Sequence, residues 1–377
     1  MSKSGQTMGK SGTEKLLVRI NLQQMLDLLL DSYTNLITSG QKLWLFPSVM
    51  LWGEPGLGKS QGVRQMAEEL GRRTGKSVVV TDVRLILYNP VDLRGIPTAN
   101  ADKTLAVWLK PKVFDMDASE DVVNILFLDE LSAAPPSVQA AAYQITLDRC
   151  VGEHALPENC IVIAAGNRVT DRSVAFKMPK ALANRLCHFD IAVDFSTWKD
   201  WAVKHQIDPR VTGFLTFKPD RLMCFDAAAD SNAFPTPRSW EMVSNILRHA
   251  CPDVQKALTL ITGCIGEGAA IEFTTWAEVF ANLPSIEAIF AGDEPLVPRA
   301  TDTLFALVSS MAAYAGEHLD DEEGIECSLR YASQLPPDFT ASLIIDYRRL
   351  GPQMQRYLMQ SPAFLSWSTK RGGLLDV

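Results

Sequence analysis

Residues 53–62 read GEPGLGKSQG, and two catalytic patterns overlap in them. Gly53, Gly58, Lys59 and Ser60 fit G-x-x-x-x-G-K-[ST], a loop that cradles phosphate. Gly58, Ser60 and Gly62 fit G-x-S-x-G, a sharp turn that presents a nucleophilic serine. Ser60 is a metal ligand in the first pattern and a nucleophile in the second. The longer pattern is met less often by chance and carries more information. Context agrees with it: an elbow serine directly follows its strand, whereas Ser60 lies eight residues beyond Trp52, where the apolar run SVMLW (48–52) ends. We therefore read a P-loop. Gly56 and Gly58 let backbone N–H groups wrap the phosphates, and a helix starting near Lys59 points its positive end at them. Lys59 then reaches the terminal phosphates, Ser60 ligates Mg²⁺, and Glu54, Pro55, Leu57 and Gln61 complete the ATP-binding loop. A second Gly-Lys-Ser, in MGKSG (8–12), has Ser4 where the first glycine is required and is a decoy.

Hydrolysis also needs acidic groups at the end of a neighbouring buried strand, and VVNILFLDEL (122–131) supplies Asp129 and Glu130. Asp129 is expected to hold Mg²⁺, mostly through water, and Glu130 to orient and polarise the attacking water. Further β-rich runs occur at SVVVTDV (77–83), CIVIAA (160–165) and HFDIAV (188–193), with helical patterns between them. Near-continuously apolar strands alternating with amphipathic helices predict a five-stranded, mainly parallel sheet covered on both faces. Before it, Leu22, Met25, Leu26, Leu29, Tyr33, Leu36 and Ile37 recur at helical spacing, and Gly40 closes the segment. The expected division is a tail and amphipathic helix over 1–45, an α/β core over 46–195, a helical lid over 196–316 and a helical C-terminal region over 317–377. The acidic run EHLDDEEGIE (317–326) reads as a solvated loop or helix face at the last boundary.

Of the 377 residues, 47% are hydrophobic and 21% charged, the usage of an ordinary globular protein. A formal net charge of −8 disfavours non-specific attraction to nucleic acid or anionic membrane. Seven cysteines without a C-x-x-C pair point to reduced thiols and a cytoplasmic protein. Cys150, His154 and Cys160 lack a second pair at zinc spacing and are read as structural. No apolar run is long enough to span a bilayer, and the first fifteen residues lack an apolar signal core.

With GEPGLGKS (53–60), ILFLDEL (125–131), IAAGNR (163–168), LANRL (182–186) and TPRSW (236–240), the chain resembles AAA+ ATPases, and among them the MoxR-type branch. The resemblance covers roughly residues 45–250. It implies an AAA+ core followed by a helical lid, a hexameric ring with ATP at subunit boundaries, and hydrolysis used to remodel or activate a partner protein. That partner is often a von Willebrand factor A-type protein, here expected as a separate chain. It further implies roles for three residues. Asn167 matches the sensor-1 residue beside the attacking water, Arg185 the arginine finger offered to the next subunit, and Arg238 the sensor-2 arginine of the lid. Read without the resemblance, Asn167 is a turn former and the arginines are surface or salt-bridge residues. Arg149, Arg168 and Arg172 compete for phosphate-facing roles. Residues 85–114 are similar to an insert that faces the ring's channel; the alternative is a surface loop with a small hairpin around Trp108. Two other functions stay open: a nucleic-acid motor or loader, which predicts salt-dependent stimulation of the ATPase, and a nucleotide switch without turnover, against which Glu130, Asn167 and Arg185 weigh together.

Overall fold

The computed structural model describes residues 19–168, 176, 178–225 and 232–371; Arg172, the Gly-Lys-Ser decoy and the last six residues lie outside them. The described residues fall into two compact units, the first comprising 19–53, 59–168, 176 and 178–192, the second 54–58, 193–225 and 232–371.

The first unit is built on β1 (Arg19–Asn21), α1 (Leu22–Thr38), β2 (Ser48–Trp52), α2 (Lys59–Thr74) and β3 (Ser77–Arg84), followed by α3 (Pro90–Arg94), β4 (Ile96–Ala99) and β5 (Ala106–Leu109). It continues through β6 (Val122–Asp129), α4 (Pro136–Leu147), β7 (Cys150–Val151), β8 (His154–Ala155), β9 (Cys160–Gly166), α5 (Lys180–Ala183) and β10 (Leu186–Ala192). Helix α1 starts where its sequence says it should. Asn21 Oδ1 accepts from the Gln24 N–H at 2.8 Å and Gln24 Oε1 accepts from the Asn21 N–H at 3.3 Å, a capping box that satisfies two orphan donors. Its apolar stripe, Met25, Leu26, Leu29, Leu30 and Tyr33, is buried.

The main sheet runs β1-β10-β2-β9-β6-β3, and every neighbouring pair is parallel. The five expected strands are present, but among the described residues the sheet has six. The addition is the edge strand β1, which pairs with β10 through Asp190, Ile191 and Ala192. Three residues are too few to show a period. The central strands β6 and β9 are buried along almost their whole length, as strands covered on both faces must be.

Between β3 and β6 lies the small hairpin of the alternative reading: β4 and β5 pair antiparallel, with Trp108 opposite Pro97. It is fastened to the β7–β8 hairpin. The Trp108 N–H donates to Glu153 at 2.9 Å, and His154 Nε2 lies 2.7 Å from the Trp108 carbonyl. Gly95 sits below this contact at φ 92°, where a Cβ would lie 2.0 Å from the Leu109 carbonyl oxygen, so only glycine fits.

The second unit is helical: α6 (Phe195–Lys204), α7 (Pro209–Phe217), α8 (Pro237–Asn245), α9 (Val254–Ile265), α10 (Glu267–Ala277) and α11 (Ile286–Phe290) precede α12 (Thr301–Glu317). Then come α13 (Glu322–Ala332), α14 (Pro337–Arg349), α15 (Pro352–Gln360) and α16 (Pro362–Arg371). One apolar cluster gathers around Phe214, Trp240, Phe273 and Trp276, and another around Leu307, Met311, Ile344 and Tyr347; α12 contributes to both, through Ala306 and Leu307. Among the described residues no helix is long and apolar enough to cross a membrane.

A buried ion pair ties α6 to α14. Lys199 Nζ lies 2.8 Å from Asp346 Oδ2, with side chains 5% and 2% exposed, and Arg349 Nη1 meets the other Asp346 oxygen at 2.8 Å. Such a pair offsets its own desolvation, but removal of one partner strands the other. Lys199→Met is expected to lower unfolding free energy by about 3 kcal/mol, read from the shift of the urea midpoint at constant slope. A loss below about 1 kcal/mol would show that Arg349 alone compensates Asp346.

Candidate active site

Parallel pairing brings the C-terminal ends of neighbouring strands to one edge of the sheet, where ligands of open α/β folds gather. Trp52 at the end of β2 is in register with Gly166 at the end of β9, and the Gly53 N–H donates to the Gly166 carbonyl at 3.3 Å. On the other side of β9, Leu128 is in register with Ala164, and the Leu131 N–H donates to the Ala165 carbonyl at 2.9 Å. Gly53, Asp129 and Asn167 are thus adjacent by topology, before any side chain is considered.

Gly56 and Gly58 adopt φ 79° and 89°, the left-handed region that glycine enters without steric cost. Within the second unit, a Cβ on Gly56 would also lie 2.9 Å from Thr236 Oγ1. Leu57 is buried, so what it offers a ligand is its backbone, while Gln61 is exposed. Lys59 opens α2, and its ammonium donates to the Gly53 carbonyl at 2.7 Å and to Asn167 Oδ1 at 3.3 Å. Ser60 Oγ donates to Asp129 Oδ2 at 3.1 Å. Asp129 is buried, and the Glu130 N–H donates to its other oxygen at 2.9 Å. The structure therefore brings Lys59, Ser60, Asp129, Glu130 and Asn167 together. A hydroxyl and a carboxylate oxygen converging beside a helix N-terminus form the hard-oxygen donor set that suits Mg²⁺.

Glu130 carries φ 57°, which a non-glycine residue rarely adopts. Its neighbours over-determine that turn: the Ala133 and Ala134 N–H groups donate to the Glu130 carbonyl at 3.0 and 3.1 Å, while Leu131 is held on β9. Strain of this kind costs about 1–3 kcal/mol and collects at functional sites.

One contact of this edge, between Ser132 and Gly166, is not legible in the sequence. Ser132 Oγ donates to the Asn167 carbonyl at 2.9 Å, joining the loop after Glu130 to the end of β9. Gly166 makes room for it, since a Cβ there would lie 2.5 Å from Ser132 Oγ. Gly166 lies within the quoted IAAGNR, but nothing in that run points to Ser132; a glycine ending a fully apolar strand was the one available signal.

Among the rival arginines, Arg168 donates from Nε to Asp190 Oδ1 at 2.8 Å, and a second contact joins Nη2 to the same oxygen. Arg149 is largely buried and donates to the Cys160 carbonyl, and desolvation pushes its pKa down. Arg185 follows α5 and places its guanidinium carbon 3.8 Å from the centre of the Tyr143 ring. Arg238 lies in the second unit, in the first turn of α8 behind the N-cap Thr236, whose Oγ1 accepts from the Ser239 N–H at 3.0 Å. Burial pushes the Cys160 thiol up to about 11, so it stays protonated at neutral pH. Among the described residues no group of three or more His, Cys, Asp or Glu side chains is arranged to hold a metal ion.

No curated protein matches the chain. Solved structures similar to it include a RuvB variant of Thermotoga maritima, at 14% identity over 78% of this chain and 83% of that one, with a TM-score of 0.33. Others are PCH-2 of C. elegans, at 13% identity over 69% of each chain with a TM-score of 0.35, and a putative ATPase from Cytophaga hutchinsonii, at 16% identity over 87% and 90% with a TM-score of 0.32. Likenesses this slight carry no argument about activity. Residues 49–195 match the model of the "ATPase family associated with various cellular activities (AAA)", and over that span the chain carries an AAA-type P-loop ATPase domain.

Proposed function

We propose that the protein is a Mg²⁺-dependent ATPase of the MoxR type, active as a ring and using hydrolysis to remodel or activate a partner protein in the cytoplasm. The supporting observation is the convergence of Lys59, Ser60, Asp129 and Asn167 at one sheet edge, with Glu130 turned out of its strand beside them. Lys59 binds the terminal phosphates, exchanging the Gly53 carbonyl and Asn167 for stronger charge-assisted bonds. Ser60 and Asp129 hold Mg²⁺, which when bound neutralises charge on the phosphate oxygens. Glu130 polarises the attacking water and Asn167 positions it. Arg185 acts on the nucleotide of the neighbouring copy, and Arg238 is the lid arginine. The partner, a von Willebrand factor A-type protein in the closest reading, is a separate chain.

Steady-state phosphate release at high protein concentration tests the proposal, and absence of turnover with ATP bound would replace it with a nucleotide switch. Ser60→Thr decides the role of the serine. A ligand hydroxyl survives that change, so turnover is expected to stay within about fivefold of the parent, whereas an elbow nucleophile crowded by a β-methyl loses most of its activity.

A further inference from the structure

We infer that Tyr143 is a positioning residue for Arg185: its ring holds the guanidinium flat and in place as a preformed donor for the nucleotide of the adjacent copy. The inference rests on the reading of Arg185 as a residue that acts in trans. The guanidinium carbon stands 3.8 Å from the ring centre, the distance of a close cation–π stack, an attraction that leaves the N–H groups free of any claim by the ring's carbons as acceptors. Arg185 Nη1 is buried and has no hydrogen-bond partner among the described residues. Nη1 is covered within its own copy, so the donors offered across a boundary are the remaining N–H groups, and the unpaired Nη1 leaves the Tyr143 ring as what holds the head group. The two described rivals differ, since Arg149 is turned to the Cys160 carbonyl and Arg168 to Asp190.

Both ends of the contact are anchored. The Asn184 and Arg185 N–H groups donate to the Lys180 and Leu182 carbonyls at 3.0 and 3.1 Å, which fixes where the arginine leaves the backbone. Tyr143 lies on α4, packed against the core of the first unit. That helix begins six residues after Glu130, whose carbonyl the Ala133 and Ala134 N–H groups hold. One short segment therefore bears the water-activating carboxylate of its own site and the platform for the arginine offered to the next. A flexible side chain that keeps one geometry loses less entropy when it engages, so the platform contributes to kcat and little to ATP binding.

The test compares Tyr143→Leu, Tyr143→Phe and Arg185→Ala in the full chain. Tyr143→Leu is expected to lower kcat by on the order of tenfold with the ATP Kd within about twofold, and Tyr143→Phe, which keeps the π-face, to stay within about twofold of the parent. Each impaired variant is then mixed with Lys59→Ala, which has no working site of its own but presents an intact Arg185 and Tyr143. Recovery of turnover in both mixtures supports the inference, because a platform for a trans-acting arginine is replaceable by a neighbour whereas damage to the variant's own site is not. Parent-like turnover in Tyr143→Leu, equal loss in Tyr143→Phe, or recovery with Arg185→Ala but not with Tyr143→Leu would each overturn it. No recovery in the Arg185→Ala mixture would instead remove the trans reading beneath it. Should Tyr143→Leu fail to fold, Tyr143→Met takes its place as an apolar side chain without a ring.

Discussion

Glu130→Gln is expected to lower steady-state phosphate release by roughly 10²–10⁴-fold while ATP affinity stays within about threefold. The separation follows from where the residue sits. On the proposed reading Lys59, Ser60 and the glycine turns bind nucleotide without Glu130, and the Asp129 oxygen that accepts from the Glu130 backbone N–H does so whatever side chain follows. Glutamine has the same length, and the left-handed turn at φ 57° is imposed by backbone bonds from Leu131, Ala133 and Ala134, so the loop has no reason to rearrange. What disappears is the carboxylate that takes up proton density from the attacking water. Steady-state phosphate release alongside titration with a fluorescent ATP analogue measures the two quantities separately. Turnover within tenfold of the parent would move the water-activating role to another group, and loss of affinity together with turnover would mean that the loop had collapsed.

The parts of the site that were legible in the sequence are those where chemistry dictates residue type at a fixed spacing. The P-loop glycines need positive φ, and Lys59 and Ser60 need the first turn of a helix. Asp129 and Glu130 need the end of a buried strand, and all of these fall on a few adjacent residues. The strands β2, β6 and β9 were legible as near-continuous apolar runs because both their faces are buried, and β3 and β10 by their β-branched and aromatic residues. What escaped depends on distance in space. Ser132 and Gly166 are 34 residues apart and matter only because β6 and β9 are neighbours. Arg168 was separated from Arg185 only once the pairing of β10 brought Asp190 beside it. The edge strand β1 carries no pattern of its own and exists because β10 exposes an unpaired edge. In the helical second unit, periodicity announces helices, but their packing order and the buried Lys199–Asp346 pair rest on contacts nearly 150 residues apart.

Arg185→Ala should give the other large loss, on the order of 10³-fold in kcat, with nucleotide binding barely changed. Removal of the side chain exposes one face of Tyr143 and deletes a cation–π contact worth about 1–2 kcal/mol, which the fold tolerates, so the effect on turnover far exceeds the effect on stability. Arg185→Lys is not expected to rescue it, because a point charge on a flexible stem can neither stack flat on the ring nor present a planar fork of donors. A residue that acts in trans has a second signature: specific activity of the parent falls on dilution as copies separate, while the residual activity of Arg185→Ala is independent of concentration. The other described candidates offer no ready substitute, since Arg149 and Arg168 are engaged by the Cys160 carbonyl and Asp190 and could reach phosphate only by abandoning those partners. Activity of Arg185→Ala within tenfold of the parent at high concentration would therefore take the trans role away from Arg185 and leave it to another arginine or to none.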